Sequence, residues 1–188
     1  MRKTHIVNMI LLFSAPFVAA LVIYFGNEYF SLTSKSNGTL IRPPLNLENI
    51  ELTQVNGTPV LANEFAKKWW LIYLAPQHCT ENCAIQVGKL RSIQLALNKN
   101  IMRVNRILLI QSESLASSEL QQAQQDPQLV IDKIQNPSYM QNHCPNTQDD
   151  GIFIMDPLGN IMLCYDSTKE PQYILKDLEK LLKASQIG

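Results

Sequence analysis

The chain has little charge of either sign. Asp, Glu, Lys and Arg make up 17% of its 188 residues, and 16 basic residues cancel 16 acidic ones. No basic run occurs, and no basic patch is interleaved with aromatic residues. This excludes the electrostatic footprint of a nucleic-acid binder. No internal repeat is evident, and the Gln-rich stretch at residues 121–125 is too short to count as low complexity. The length leaves room for one domain plus an anchor. Long apolar runs are also lacking, with one exception.

That exception is residues 6–26, an uncharged run interrupted only by Asn8, Ser14 and Pro16. It matches the roughly 20 residues that a helix needs to cross a bilayer. Arg2 and Lys3 precede it and Glu28 follows, which places the N-terminus in the cytoplasm and the remainder outside. A cleaved signal peptide would have a shorter apolar core, about 7–15 residues, ending at a small-residue site. Ala19-Ala20 is the only candidate for such a site, and apolar Leu21-Val-Ile-Tyr-Phe25 follows it. An uncleaved signal anchor is therefore expected, because the run also lacks the polar face of a soluble helix. Residues 1–26 become a cytoplasmic tip and transmembrane anchor in the inner membrane. The single pass puts the C-terminal domain in the periplasm of a bacterial source. There a cysteine pair is a disulfide unless a reductant or a metal holds it otherwise.

Residues 27–41 are polar and read as a tether, and Arg42-Pro43-Pro44 stiffens its end. The linker is thus 27–44 and the folded domain 45–188. Residues 50–55 alternate apolar and polar, as a half-buried strand does, and Asn56-Gly57 predicts a hairpin turn into a short return strand at 59–61. Asn63 can cap a helical turn over 64–67. Residues 69–74 are continuously apolar and aromatic, as expected of a strand covered on both faces. A helix follows over 84–98, then a strand at 104–110, a helix at 115–124 and a strand at 129–134. A short helix opens at Pro137. Residues 152–155 and 161–165 form a hairpin, and an amphipathic helix over 171–184 turns Ile174, Leu178, Leu181 and Leu182 to one side. This order is an α/β sandwich of the thioredoxin type, with an N-terminal single transmembrane helix.

The chemistry concentrates in Cys79-Thr-Glu-Asn-Cys83, where the central strand turns into the next helix. Open α/β sheets place their sites at the carboxyl ends of such strands. A helical start at Cys79 puts Cys83 one turn along the same face, with Cα atoms roughly 6 Å apart and within disulfide reach. The pair can form a disulfide or chelate one soft metal ion. Free N–H groups at the helix start stabilise a thiolate there, and His78 assists when protonated. Cys79, nearer the helix start, is expected to attack and Cys83 to resolve. The plain alternative is a pair of buried core cysteines. Cys164 lies in a strand and reads as a core thiol; Cys144 either pairs with it or stays a loop thiol. Glu113, Asp132 and Asp149-Asp150 read as surface carboxylates, the last two also as a turn before a strand. Asn37-Gly-Thr and Asn56-Gly-Thr match glycosylation acceptors, though the turn alone explains the second.

The anchor, the Asn-Gly hairpin before residues 69–74, Cys-x-x-x-Cys with Glu81 inside it, and Ile154-Met-Asp-Pro-Leu-Gly-Asn160 together resemble the Sco/SenC branch of the thioredoxin-like superfamily. Those membrane-anchored proteins help assemble the copper centre of cytochrome c oxidase. Ile41-Arg-Pro-Pro44 looks like the entry of small single-pass proteins from bacterial oxidase gene clusters. The resemblance implies Cu(I) on Cys79 and Cys83. It also implies a third ligand, a histidine shortly before the late hairpin. That position falls near Gln148, and the nearest histidine is His143. The Cys-x-x-Cys of a general thioredoxin is absent, as is a proline directly before Ile152.

The expected function is a membrane-tethered thiol–disulfide or Cu(I)-handling protein, an oxidoreductase or copper chaperone. Its expected partners are the inner membrane and a respiratory oxidase subunit or another assembly factor. A rival expectation is a non-catalytic anchored module whose Cys-x-x-x-Cys is a structural disulfide. A peroxidase-type thiol enzyme would need an activated peroxide pocket, for which no distinctive motif is present.

Overall fold

A computed structural model describes residues 2–26, 36–77, 81–111, 126–145, 147, 149–185 and 187. The chain divides into two units, 1–35 and 36–188. The first contains helix α1, Arg2–Gly26, with Pro16 inside it. Its Leu11, Leu12, Phe13 and Phe17 are exposed. Counted over the described residues, no helix is long and apolar enough to cross a membrane. The side chains of Ile6, Val7, Ile10 and Ala19 are not among those described.

Among the described residues the second unit has seven strands: β1 (Thr39–Asn46), β2 (Leu52–Gln54), β3 (Trp69–Leu74), β4 (Val104–Ile110), β5 (Leu129–Ile134), β6 (Gly151–Met155) and β7 (Asn160–Tyr165). They form one sheet in the order β1-β7-β6-β3-β4-β5-β2. β3, β4 and β5 run parallel; the other neighbours pair antiparallel. Among the described residues the unit's α-helices are α2 (Glu81–Ala96), α3 (Ser138–Gln141) and α4 (Pro171–Ala184).

β3 is central, which explains its unbroken apolar sequence: every residue in it is buried. Its side chains alternate between two cores. Trp69, Leu71 and Tyr73 pack with Leu90 and Ile93 of α2 and with Ile174 and Leu178 of α4. Trp70, Ile72 and Leu74 pack on the other face with Phe65, Ile107 and Met140. Each such side chain contributes about 1.5–3 kcal/mol through burial.

β3, β4, β5 and α4 have the bounds expected from sequence. The late hairpin is also present, turned by Gly159 at φ +86°. Asp156 Oδ1 holds that turn by accepting from the N–H groups of Leu158 and Asn160 at 2.9 and 2.8 Å. The helix expected at 115–124 lies outside the described residues.

Five expectations are corrected. The last part of the expected tether and linker is strand β1, paired with β7. Its prolines are tolerated because β1 is an edge strand, with one side free of ladder bonds. Asp177 of α4 fixes the segment before it. The carboxylate is 2% exposed and accepts from the N–H groups of Asn37 and Gly38 and from the Asn37 amide. The strand expected at 50–55 shortens to β2 and pairs with β5. Its expected return strand is reduced to one bridge between Thr53 and Pro59, since Pro59 has no N–H to extend a ladder. The turn near Asn63 is a 3-10 helix, Ala62–Phe65, entered from Leu61 rather than capped by Asn63. Finally, α2 begins at Glu81, ahead of residue 84, and ends at Ala96.

Candidate redox and metal site

The chain leaves β3 at the carboxyl end of the sheet, where Ala75 N–H still donates to Leu109 O at 2.9 Å. His78 and Cys79 lie outside the described residues. Cys83 is in the first turn of α2, 3% exposed, packed in the core that contains Tyr73, Ala75 and Leu90. It is disulfide-bonded. Its expected partner is Cys79.

Polar groups converge at this end of the sheet. The Tyr73 hydroxyl donates to Asp150 Oδ2 at 3.0 Å, and Ser167 Oγ donates to Asp150 Oδ1 at 2.9 Å. Lys89 of α2 donates its ammonium to the Ser167 carbonyl. Burial pulls the Lys89 ammonium below its usual range, while Asp150 and Asp166 act in the opposite direction. Burial, together with Asp150, pushes the Tyr73 phenol far up, so it remains a donor. Gln111 Nε2 donates to Ala75 O at 2.7 Å and to Asp149 O at 3.3 Å.

Asp150 is therefore a half-buried acceptor rather than a surface carboxylate. A sequence signal for it existed. It immediately precedes β6, which returns antiparallel along β3, so it must sit where β3 ends.

His143 follows α3 and is exposed. Its Nδ1–H donates to Tyr139 O at 2.8 Å, since a carbonyl can only accept. That tautomer leaves Nε2 with a lone pair available to a metal. The two rings lie 5.3 Å apart.

The adjacent Cys144 is buried and forms a disulfide with Cys164, 20 residues away, with Cα atoms 6.1 Å apart. Cys164 is thus a bonded cysteine, not the free core thiol its strand position suggested. Pairing through Cys144 was the other expectation for this loop. The bridge belongs to the core opposite that of Cys83. Gln148 and Glu113 lie outside the described residues. Among the described residues, no three His, Cys, Asp or Glu side chains are grouped to hold a metal ion. Asp132, expected at the surface, is 2% exposed.

A family model described as transmembrane-like, thioredoxin-like, C-terminal domain matches residues 69–185. The chain belongs to this family. The matched stretch of the thioredoxin-like domain contains both disulfide positions, His143 and Asp150. No curated protein matches the chain by sequence.

Solved structures share the fold. Copper-bound ScoI of Arabidopsis thaliana is 16% identical with a TM-score of 0.53, the match covering 79% of this chain and 99% of that one. Copper-bound yeast Sco1 is 14% identical with a TM-score of 0.55, over 80% and 91% of the two chains. BsSco, a member of the Sco family of cytochrome c oxidase assembly proteins, is 12% identical with a TM-score of 0.55, over 81% and 100%.

Proposed function

We propose that this chain is a membrane-tethered thioredoxin-like protein that handles disulfides and Cu(I) during assembly of a respiratory copper oxidase. The observation that carries the reading is disulfide-bonded Cys83, held in the first turn of α2 at the carboxyl end of the central strand. The fold shared with copper-bound Sco proteins supports it. Arg2 and Lys3 ahead of the apolar run and the exposed apolar side chains of α1 support an inner-membrane anchor with a periplasmic domain.

In the reduced state the Cys79 thiolate attacks one sulfur of a partner disulfide, forming a mixed disulfide and releasing a partner thiolate. Cys83 then attacks the Cys79 sulfur. The second partner thiolate leaves, and the pair has given up two electrons. With Cu(I) as cargo, the same two thiolates are soft ligands, and His143 Nε2 is the third donor on offer. The oxidised pair must first accept two electrons from a thiol donor, because disulfide sulfurs lack the thiolate charge that binds the ion.

The 3% exposure of Cys83 favours a second reading, a non-catalytic anchored module with a structural disulfide.

Anaerobic Cu(I) titration of the reduced full-length protein separates the two. Binding that nearly vanishes in Cys83→Ala and falls modestly in His143→Ala supports the carrier. Uptake no greater than that of the Cys79→Ser, Cys83→Ser double variant ends the copper reading. Oxidase assembly that stays intact in cells carrying that double variant leaves only the module.

A further inference from the structure

A cavity of about 390 Å³ lies between the β2 turn, the 3-10 helix and β5. Val60, Phe65, Trp70 and Val130 give it apolar walls, and Asp132 and Glu64 add two carboxylates. Among the described residues, no Lys, Arg or His lines it. Asp132 is 2% exposed, and its Oδ2 has no hydrogen-bond partner among the described residues. A buried carboxylate oxygen without a donor is a costly arrangement that a bound cation relieves. Burial first, and then the neighbouring Glu64, pushes the Asp132 carboxyl up to about 6. Glu64 is held in place, its Oε1 accepting from Leu61 N–H at 3.0 Å. The indole N–H of Trp70 is already given to Phe65 O at 2.8 Å, so it offers Asp132 nothing.

The lining decides the class of cation. A hard metal ion seeks about six or more oxygen ligands; the described lining offers two acids on apolar walls and the amide side chains of Gln54 and Asn56, the Asn56 Oδ1 already accepting from Thr58 N–H, and among the described residues no third His, Cys, Asp or Glu is grouped with them. An alkylammonium fits both features. Its head carries three donors and its stem packs on aromatic and aliphatic surface.

We propose that this cavity binds a protonated primary amine on an alkyl stem, the ammonium donating to Asp132 Oδ2 and Glu64 while the stem lies against Phe65, Trp70 and Val130. This site stands independently of the cysteine chemistry.

Calorimetric titration of the full-length protein with n-pentylamine, 1-pentanol and the peptide acetyl-Gly-Lys-Gly-amide tests it. Saturable amine binding is expected, with the alcohol weaker by about tenfold or more and Asp132→Asn causing a loss of similar size. Glu64→Gln should weaken binding to a lesser degree. A peptide that binds more tightly than the free amine identifies a partner's lysine as the ligand; the reverse identifies a small amine. Both outcomes support the site. Amine binding no tighter than alcohol binding overturns it, as does equal affinity for wild type and a folded Asp132→Asn. Should Asp132→Asn fail to fold by circular dichroism, unchanged affinity in Glu64→Gln overturns it instead.

Discussion

Tyr73 donates its hydroxyl hydrogen to Asp150 across 3.0 Å, joining the central strand to the residue just before β6. Ser167, just beyond β7, donates to the other oxygen of the same carboxylate. One side chain thus ties together three segments at the end of the sheet where α2 and Cys83 begin.

Tyr73→Phe should remove a hydrogen bond to a charged acceptor while preserving the packing of the ring. The expected loss of unfolding free energy is about 1–2 kcal/mol, read as a lower urea midpoint with an unchanged slope. Ser167→Ala should cost less, since Ser167 is smaller and leaves the Tyr73 bond in place. A Tyr73→Phe midpoint equal to wild type would show that the bond contributes nothing net.

The Cys144–Cys164 bridge closes a loop of 20 residues. Chain-entropy reasoning gives about 3 kcal/mol for a loop of that size. The Cys144→Ala, Cys164→Ala double variant should be destabilised by roughly that amount in chemical denaturation. The Cys83 disulfide lies in the opposite core, so its reduction, followed by differential alkylation and mass spectrometry, should be unchanged.

Asp132 gives stability a dependence on pH. Its folded carboxyl is raised to about 6 from an ordinary 3.8, chiefly by burial, so the folded state holds the proton more tightly than the unfolded chain does. The stabilising contribution is therefore complete below about 4 and is lost as pH rises through about 6. A tenfold difference in proton affinity corresponds to about 1.4 kcal/mol, so the fall should reach a few kcal/mol at most. Asp132→Asn should flatten the profile between pH 4 and 6 in calorimetric melts, relative to wild type. An unaltered slope would mean that another group titrates there.

The elements that the sequence reveals are those whose signal is local. The uninterrupted apolar run of β3 and the one-sided apolar stripe of α4 each mark their own bounds. The position of Cys83 just after the central strand is equally plain, because the cysteine motif follows the apolar run within a few residues. β1 is hidden for the opposite reason. Arg42 and two prolines interrupt its apolar residues Leu40, Ile41 and Leu45, and the contact that orders its start comes from Asp177, 139 residues beyond Gly38. The Cys144–Cys164 pairing likewise depends on the loop after α3 meeting β7, which no spacing rule states. Asp132 was partly legible: alternation along β5 puts it on the same side as buried Ile134. Its charge argued for the surface, and the topology overruled it.

The two ends of the sheet share a property that governs how copies of this chain meet. A β-sheet recruits another strand through free N–H and C=O groups along a flat outer edge. Here one outer strand, β2, is only three residues long. The other, β1, changes register between Leu40 and Leu45 and carries Pro43 and Pro44 within that interval. Neither border offers an incoming strand a continuous template. The sheet is thereby closed to edge-to-edge growth, and self-association into cross-β stacks is resisted by the geometry of the borders themselves.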